Sequence, residues 1–138
     1  MSAASGGRRT ANLAVVSQAF EAVGRGDVDA QLELFAEDAV LELPYADPPA
    51  RLMGRPAIRS RLEPALRLFE IRIEITDVHD CADPDHLILE YTSRGRVTTT
   101  QRTYRNSYVG FFRLGEGLIR FQREYYNPIP GRVALAAD

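Results

Sequence analysis

Residues 118–128 read Leu-Ile-Arg-Phe-Gln-Arg-Glu-Tyr-Tyr-Asn-Pro, LIRFQREYYNP. The stretch has the composition of a late β-strand that ends at Pro128. Period-two alternation sends Gln122, Glu124 and Tyr126 to one face and Phe121, Arg123 and Tyr125 to the other. A carboxylate between a carboxamide and a phenol is an unusual set for a core face. It suits the floor of a pocket that handles protons.

Working outward, the preceding residues repeat the alternation. Gly115-Glu116-Gly117 reads as a tight hairpin turn, and before it a strand runs from about Thr103 to Leu114. Another spans about His86 to Val97, preceded by the turn Ala82-Asp83-Pro84-Asp85. Ile71, Ile73 and Ile75 alternate with Arg72, Glu74 and Thr76 in a further strand. The first half has the helical period instead. Leu13, Val16, Phe20 and Val23 define helix one, from about Thr10 until Gly24 stops it. Asp27 caps a short second helix with Val28, Leu32 and Phe35 as its stripe. Ala39 to Leu43 is a short strand, and Pro44, Pro48 and Pro49 force an irregular loop. Pro56 opens helix three, whose core face is Ile58, Leu62, Ala65, Leu66 and Phe69, with a kink expected at Pro64. Helices segregated from a run of strands indicate the α+β class.

The 138 residues suit one domain. Residues 1–9 read as a disordered tail rather than an export signal despite Arg8 and Arg9, leaving 10–138 as the domain. A net charge of −2 gives no field favouring nucleic acid or an anionic membrane, and no apolar run approaches the roughly 20 residues of a membrane span. All 17 basic residues are Arg, which removes Schiff-base lysine chemistry. The lone Cys81 rules out an internal disulfide and fits a cytoplasmic setting. His79, Asp80, Cys81, Asp83, Asp85 and His86 crowd one stretch, but their spacing matches no zinc pattern and Asp-Pro-Asp is turn chemistry. No phosphate-binding glycine motif is present. Neither a metal nor a cofactor is expected.

Parity places Tyr104, Asn106, Tyr108, Gly110 and Phe112 together, likewise Leu89, Tyr91 and Ser93, and likewise Leu41, Leu43 and Tyr45. If these faces turn inward, they enclose a mainly aromatic cavity whose polar points are Tyr45, Tyr91, Asn106, Tyr108, Gln122, Glu124 and Tyr126. Such a lining fits a flat, oxygenated small molecule, aromatic or carbonyl-containing. A carboxyl in a dry aromatic pocket has its charged form disfavoured, so Glu124 is the expected general acid or base. The alternative for Glu124 is a structural carboxylate held by a Tyr or an Arg. Arg61, on the flank of helix three, could hold a carboxylate or phenolate at the cavity mouth; a solvated or snorkelling side chain is the plainer reading of that flank. Arg94, Arg96, Arg102 and Arg105 form either an anion patch or a charged sheet edge.

This order of elements, with AEDAVLELP at 36–44 and GLIRFQREYYNP at 117–128, resembles the NTF2-like superfamily in its SnoaL-like branch. The second half is most similar to the phenazine-biosynthesis A/B proteins, through Asp83-Pro84-Asp85-His86, the Gly95 region, Tyr104-Arg105-Asn106, and Arg123-Glu124 with Asn127. The resemblance implies a cone, a curved mixed or antiparallel sheet wrapped around three helices, and a homodimer packed through the outer sheet face. The superfold hosts enzymes and non-enzymes alike. Against the ketosteroid isomerases of this fold, the base position is Leu43, and the oxyanion tyrosine and acid fall on Ala19 and Gly110, so that reaction is not expected. Against limonene-type epoxide hydrolases, Tyr91 and Ser93 replace an Arg and an Asp, while the second Asp falls on Glu124. The phenazine proteins have a Glu at Glu124 and a His where this chain has Arg61. The resemblance thus implies a cofactor-free enzyme of secondary metabolism, with Glu124 moving a proton beside a carbonyl in an isomerisation, cyclisation, condensation or dehydration. The alternatives are a ligand-binding protein without catalysis, and epoxide opening, for which parity offers no second carboxylate.

Overall fold

A computed structural model describes residues 3–137. Its elements run α1 (Ala3–Gly24), α2 (Val28–Glu33), β1 (Phe35–Leu43), β2 (Ala50–Met53), α3 (Arg55–Leu68), β3 (Phe69–Asp80), β4 (His86–Val97), β5 (Thr103–Gly115), β6 (Leu118–Tyr126) and α4 (Ile129–Leu135). The strands form one mixed sheet in the order β2-β1-β6-β5-β4-β3. Every neighbouring pair is antiparallel except β1 and β6, which run parallel. The class is α+β. Among the described residues no helix is long and apolar enough to cross a membrane.

The sheet wraps a helical layer. Val16, Ala19 and Phe20 of α1 and Ile58 of α3 pack against Leu87, Leu89, Tyr91, Phe112 and Ile119 from the strands. All of these strand residues but Ile119 sit on the inner parity of their strands, which is why alternation located the faces. A register shift between β5 and β6 turns Ile119 inward, off the parity of Gln122, Glu124 and Tyr126. A second, smaller cluster joins Val97, Tyr104 and Ala134 with Phe69 and Ile71. It holds α4 against the open end of the cone.

Four expectations need correction. The segment before Thr10 is not a disordered tail: from Ala3 onward it is the start of α1. Arg9 is buried and donates to the carbonyls of Cys81 (2.9 Å) and Ala82 (3.3 Å), and Asn12 donates to Pro84 O and Asp85 Oδ1, both at 3.0 Å. The Asp-Pro-Asp turn is therefore a dock for α1. Met1 and Ser2 lie outside the described residues. Part of the proline-rich loop forms β2, paired with β1. The helices number four among the described residues, because α4 follows Pro128. α2 is capped by Asp27, whose carboxylate accepts from Ala30 N at 3.0 Å, but it ends before Phe35, which is buried as the first residue of β1.

Two features of the sheet matter below. Gly95 faces Ile71 across β3 and β4, and a Cβ built on it would stand 1.8 Å from the Glu70 carbonyl oxygen, so the two backbones approach as only glycine allows. On the outer face Arg72, Arg94 and Arg105 stand in register across β3, β4 and β5, all exposed. Further round the same face Glu42 lies between Arg123 (2.7 Å) and Arg51 (3.0 Å), and these hold its carboxyl below the usual range.

Candidate active site

The concave face of the sheet and the helices enclose a cavity of about 420 Å³. Its strand wall carries Leu41, Leu43, Tyr108, Gln122, Glu124 and Tyr126, and its helical wall Phe20, Gln31, Arg61, Leu62 and Leu66. Pro128, Gly131, Arg132 and Leu135 bring the α4 region to its rim. Alternation along β6 turns Gln122, Glu124 and Tyr126 to one side together.

Glu124 lies on the cavity wall. Tyr91 donates to its Oε1 at 2.5 Å. Among the described residues nothing bonds Oε2, so one oxygen is fixed and the other is left for a ligand. Burial pushes the carboxyl up to about 6 from an ordinary 4.5, and the Tyr91 hydrogen bond opposes that rise. Tyr91 is only 1% exposed and does not reach the cavity. It packs on Phe20 (ring centroids 4.7 Å) and stacks on Tyr108 (5.1 Å, 9°). Burial and the neighbouring Glu124 hold its phenol well above the usual range, so it stays a donor.

Tyr108 does reach the cavity. Its hydroxyl meets Ser93 Oγ at 2.7 Å and Tyr104 OH at 3.1 Å. Asn106 donates to Tyr104 OH at 2.9 Å and to the Asn127 carbonyl at 2.8 Å. With Asn106 donating into Tyr104, the Tyr104 proton is free to point at Tyr108. Tyr108 can then turn its own proton toward Ser93 or toward a cavity ligand. Burial, then Tyr104 and Glu124, hold Tyr108 protonated. Tyr126 is raised by burial, partly offset by the Arg61 guanidinium beside it.

Of the residues singled out from the sequence, Glu124, Gln122, Tyr108, Tyr126 and Arg61 line one cavity. Three do not. Tyr45 is 58% exposed and packs edge-on to Tyr125 on the outer face, with centroids 5.3 Å apart. Its parity argument fails because β1 ends at Leu43 and Pro44 turns the chain out of the sheet. Tyr91 stands behind Glu124 and positions it. Asn106 shares the inner parity but spends its amide on Tyr104 and the Asn127 backbone. Asp47, from the loop after Pro44, does line the rim, where strand parity offered no second carboxylate.

Several contributors were missed. Ser93, 3% exposed, anchors Tyr108. Gly110, opposite Glu124 in the ladder, makes room for Tyr91: a Cβ there would stand 2.8 Å from the Tyr91 hydroxyl and 2.6 Å from the Phe112 ring. A glycine inside a strand signals such a close approach. Gln31 sits at the i+3 place of a stripe whose neighbours are Val28 and Leu32, a polar residue where the period calls for an apolar one. Nothing local marks α4, which begins Ile-Pro-Gly.

The comparisons with known proteins bear on this geometry. Residues 16–122 match the SnoaL-like domain. An uncharacterised PhzA/B-like protein of Pseudomonas aeruginosa is 33% identical over 116 residues, covering 80% of this chain and 79% of the relative. Among solved structures, a candidate isomerase from Bacillus subtilis superposes with a TM-score of 0.86 at 26% identity, covering 92% of this chain and 94% of that one. A candidate polyketide cyclase from Xanthomonas campestris pv. campestris gives 0.79 at 25% identity, covering 94% and 99%.

Proposed function

This chain belongs to the SnoaL-like domain family, of NTF2-like fold, and on that premise we propose that it is a small-molecule enzyme that moves a proton beside a carbonyl, with Glu124 as general acid or base. The observation that carries the reading is a carboxyl raised to about 6 in an apolar cavity, with one oxygen held by Tyr91 and the other open. A base whose pKa lies near working pH is ionised often enough to accept a proton and acidic enough to return it. Tyr108 polarises the substrate oxygen, its phenol backed by Tyr104 and Ser93. Proton transfer of this kind is redox-neutral and asks for no cofactor. Isomerisation, aldol-type cyclisation, condensation and dehydration all share the step, and similarity to a candidate isomerase and a candidate polyketide cyclase supports that range.

Glu124→Gln is expected to abolish turnover of a carbonyl substrate while leaving fold and ligand binding intact; a variant that still turns over excludes Glu124 from the chemistry. Non-catalytic ligand binding is the second reading, favoured by the absence of the partner residues that related enzymes carry at Leu43 and Ser93. Epoxide opening is the third: Asp47 now offers it a second carboxylate, but an exposed one at the rim. A homodimer through the outer sheet face completes the proposal, supported by the partly exposed Phe111, Phe121 and Tyr125 and the exposed Met53 there. Sedimentation at twice the 15.4 kDa chain mass is expected, and a monomer at micromolar concentration overturns it.

A further inference from the structure

One polar group on the cavity wall is left unused by the chemistry above. Gln31 is 7% exposed and lines the cavity from α2, across from the strand wall that carries Glu124. Its side-chain amide makes no hydrogen bond among the described residues, and Oε1 is sealed without a partner. Its backbone cannot help, because Gln31 N donates to Asp27 O and Gln31 O accepts from Leu34 N, each at 3.1 Å. The cavity lining that α1, α3 and the start of β1 contribute is apolar at Phe20, Val23, Phe35, Leu62 and Leu66, and the one charged member, Arg61, makes no hydrogen bond to Gln31. An unmet buried amide costs far more than the Leu or Met that would fill the same space. A ligand that fills the cavity can complete it.

We propose that Gln31 is a ligand-recognition residue that pairs with a second polar group of the substrate. The first, the carbonyl beside which the proton moves, lies at Glu124 and Tyr108; the proposal rests on that reading of Glu124. A carboxamide both donates and accepts, and rotation about its last bond exchanges the two, so Gln31 reads a hydroxyl or a carbonyl equally. The substrate class narrows accordingly. It is a flat, mainly apolar molecule oxygenated at both ends, a hydroxy-ketone or an enolisable diketone, of a size that about 420 Å³ admits. A ketone with a single oxygen leaves the Gln31 amide unpaired and binds more weakly.

The test reads binding rather than turnover. The probes are α-tetralone and 6-hydroxy-α-tetralone, which share a skeleton and a ketone and differ by one hydroxyl at the far end. Calorimetric titration of the wild-type protein is expected to favour the hydroxylated compound by roughly five- to tenfold. Gln31→Met is expected to erase that preference without weakening α-tetralone, and to unfold in urea no earlier than wild type, because it removes an unmet amide. Equal affinities in the wild type, a preference that survives in Gln31→Met, failure of both compounds to bind at millimolar concentration, or a Met variant destabilised without ligand would each overturn the proposal. The catalytic reading fails separately: Glu124→Gln is expected to keep the hydroxyl preference, so retained turnover there refutes Glu124 and leaves Gln31 untouched.

Discussion

Replacing Glu124 by Gln tests the electrostatics of the site through stability alone. In the folded protein the carboxyl titrates at about 6, against 4.5 for an ordinary one. Between those values the folded state keeps a proton that the unfolded chain has lost, so rising pH works against folding. The rise of about 1.5 units, at ~1.36 kcal/mol per unit, makes the penalty about 2 kcal/mol once the pH is above 6. Below pH 4.5 the group is neutral in both states and the penalty vanishes. Gln keeps the shape and can still accept the Tyr91 hydrogen bond, so it removes the charge and little else. Urea unfolding of both proteins from pH 4 to pH 8 cancels the titration of every other group in the difference. The two should be close at pH 4, with the variant ahead by about 2 kcal/mol at pH 8, a midpoint shift of ~1 M at a typical slope. A difference flat with pH, or a variant less stable at pH 8, would mean that the carboxylate is well solvated or well paired when charged, and the case for it as a tuned base would fall.

Two further outcomes follow from the groups around it. Tyr91→Phe removes the hydrogen bond that opposes the rise of Glu124, so the carboxyl should titrate above 6 and the acid limb of the pH–rate profile should move to higher pH; an unmoved limb would show that Tyr91 does not hold the base. Gly110→Ala inserts a methyl 2.8 Å from the Tyr91 hydroxyl and 2.6 Å from the Phe112 ring. It should destabilise the fold by about 1–3 kcal/mol by chemical denaturation, and unchanged stability would mean that the ring has room to retreat.

The elements that were legible in the sequence are those whose pattern is local. Ile71, Ile73 and Ile75, the inner residues of β4 and β5, and Glu124 itself could be placed by alternation because each strand buries one face. Where position depends on contacts remote in the chain, local pattern fails. The start of α1 contains Gly6 and Gly7, poor helix formers, and is docked through Arg9 and Asn12 onto a turn more than 70 residues away. α4 carries Pro130 and Gly131 in its first turn and is anchored by Thr100 Oγ1 donating to Ala134 O at 2.6 Å. Tyr45 was misplaced because parity was carried past the end of its strand. Gln31 carries its signal as the one polar member of an apolar stripe, which the period alone does not mark.

The arginine row on the outer face bears on how β3 and β4 find their alignment. Sliding β4 by two residues would keep every side chain on its own face and bring Arg94 opposite Glu70 or Glu74 instead of Arg72. Charge does not decide the alignment: each slip trades the Arg72–Arg94 opposition for another like-charged one, Arg72 with Arg96 or Glu74 with Glu90, and loses the Arg96–Glu70 ion pair at 3.0 Å. What forbids the slips lies on the other face. A slip would bring Ser93 or Val97 to the place where Gly95 meets the Glu70 carbonyl, and neither can shed its Cβ. Alignment of this pair is therefore dictated by one missing methyl within, and the positions of Arg72, Arg94 and Arg105 are free to be rewritten, even to acids, without the strands losing their place.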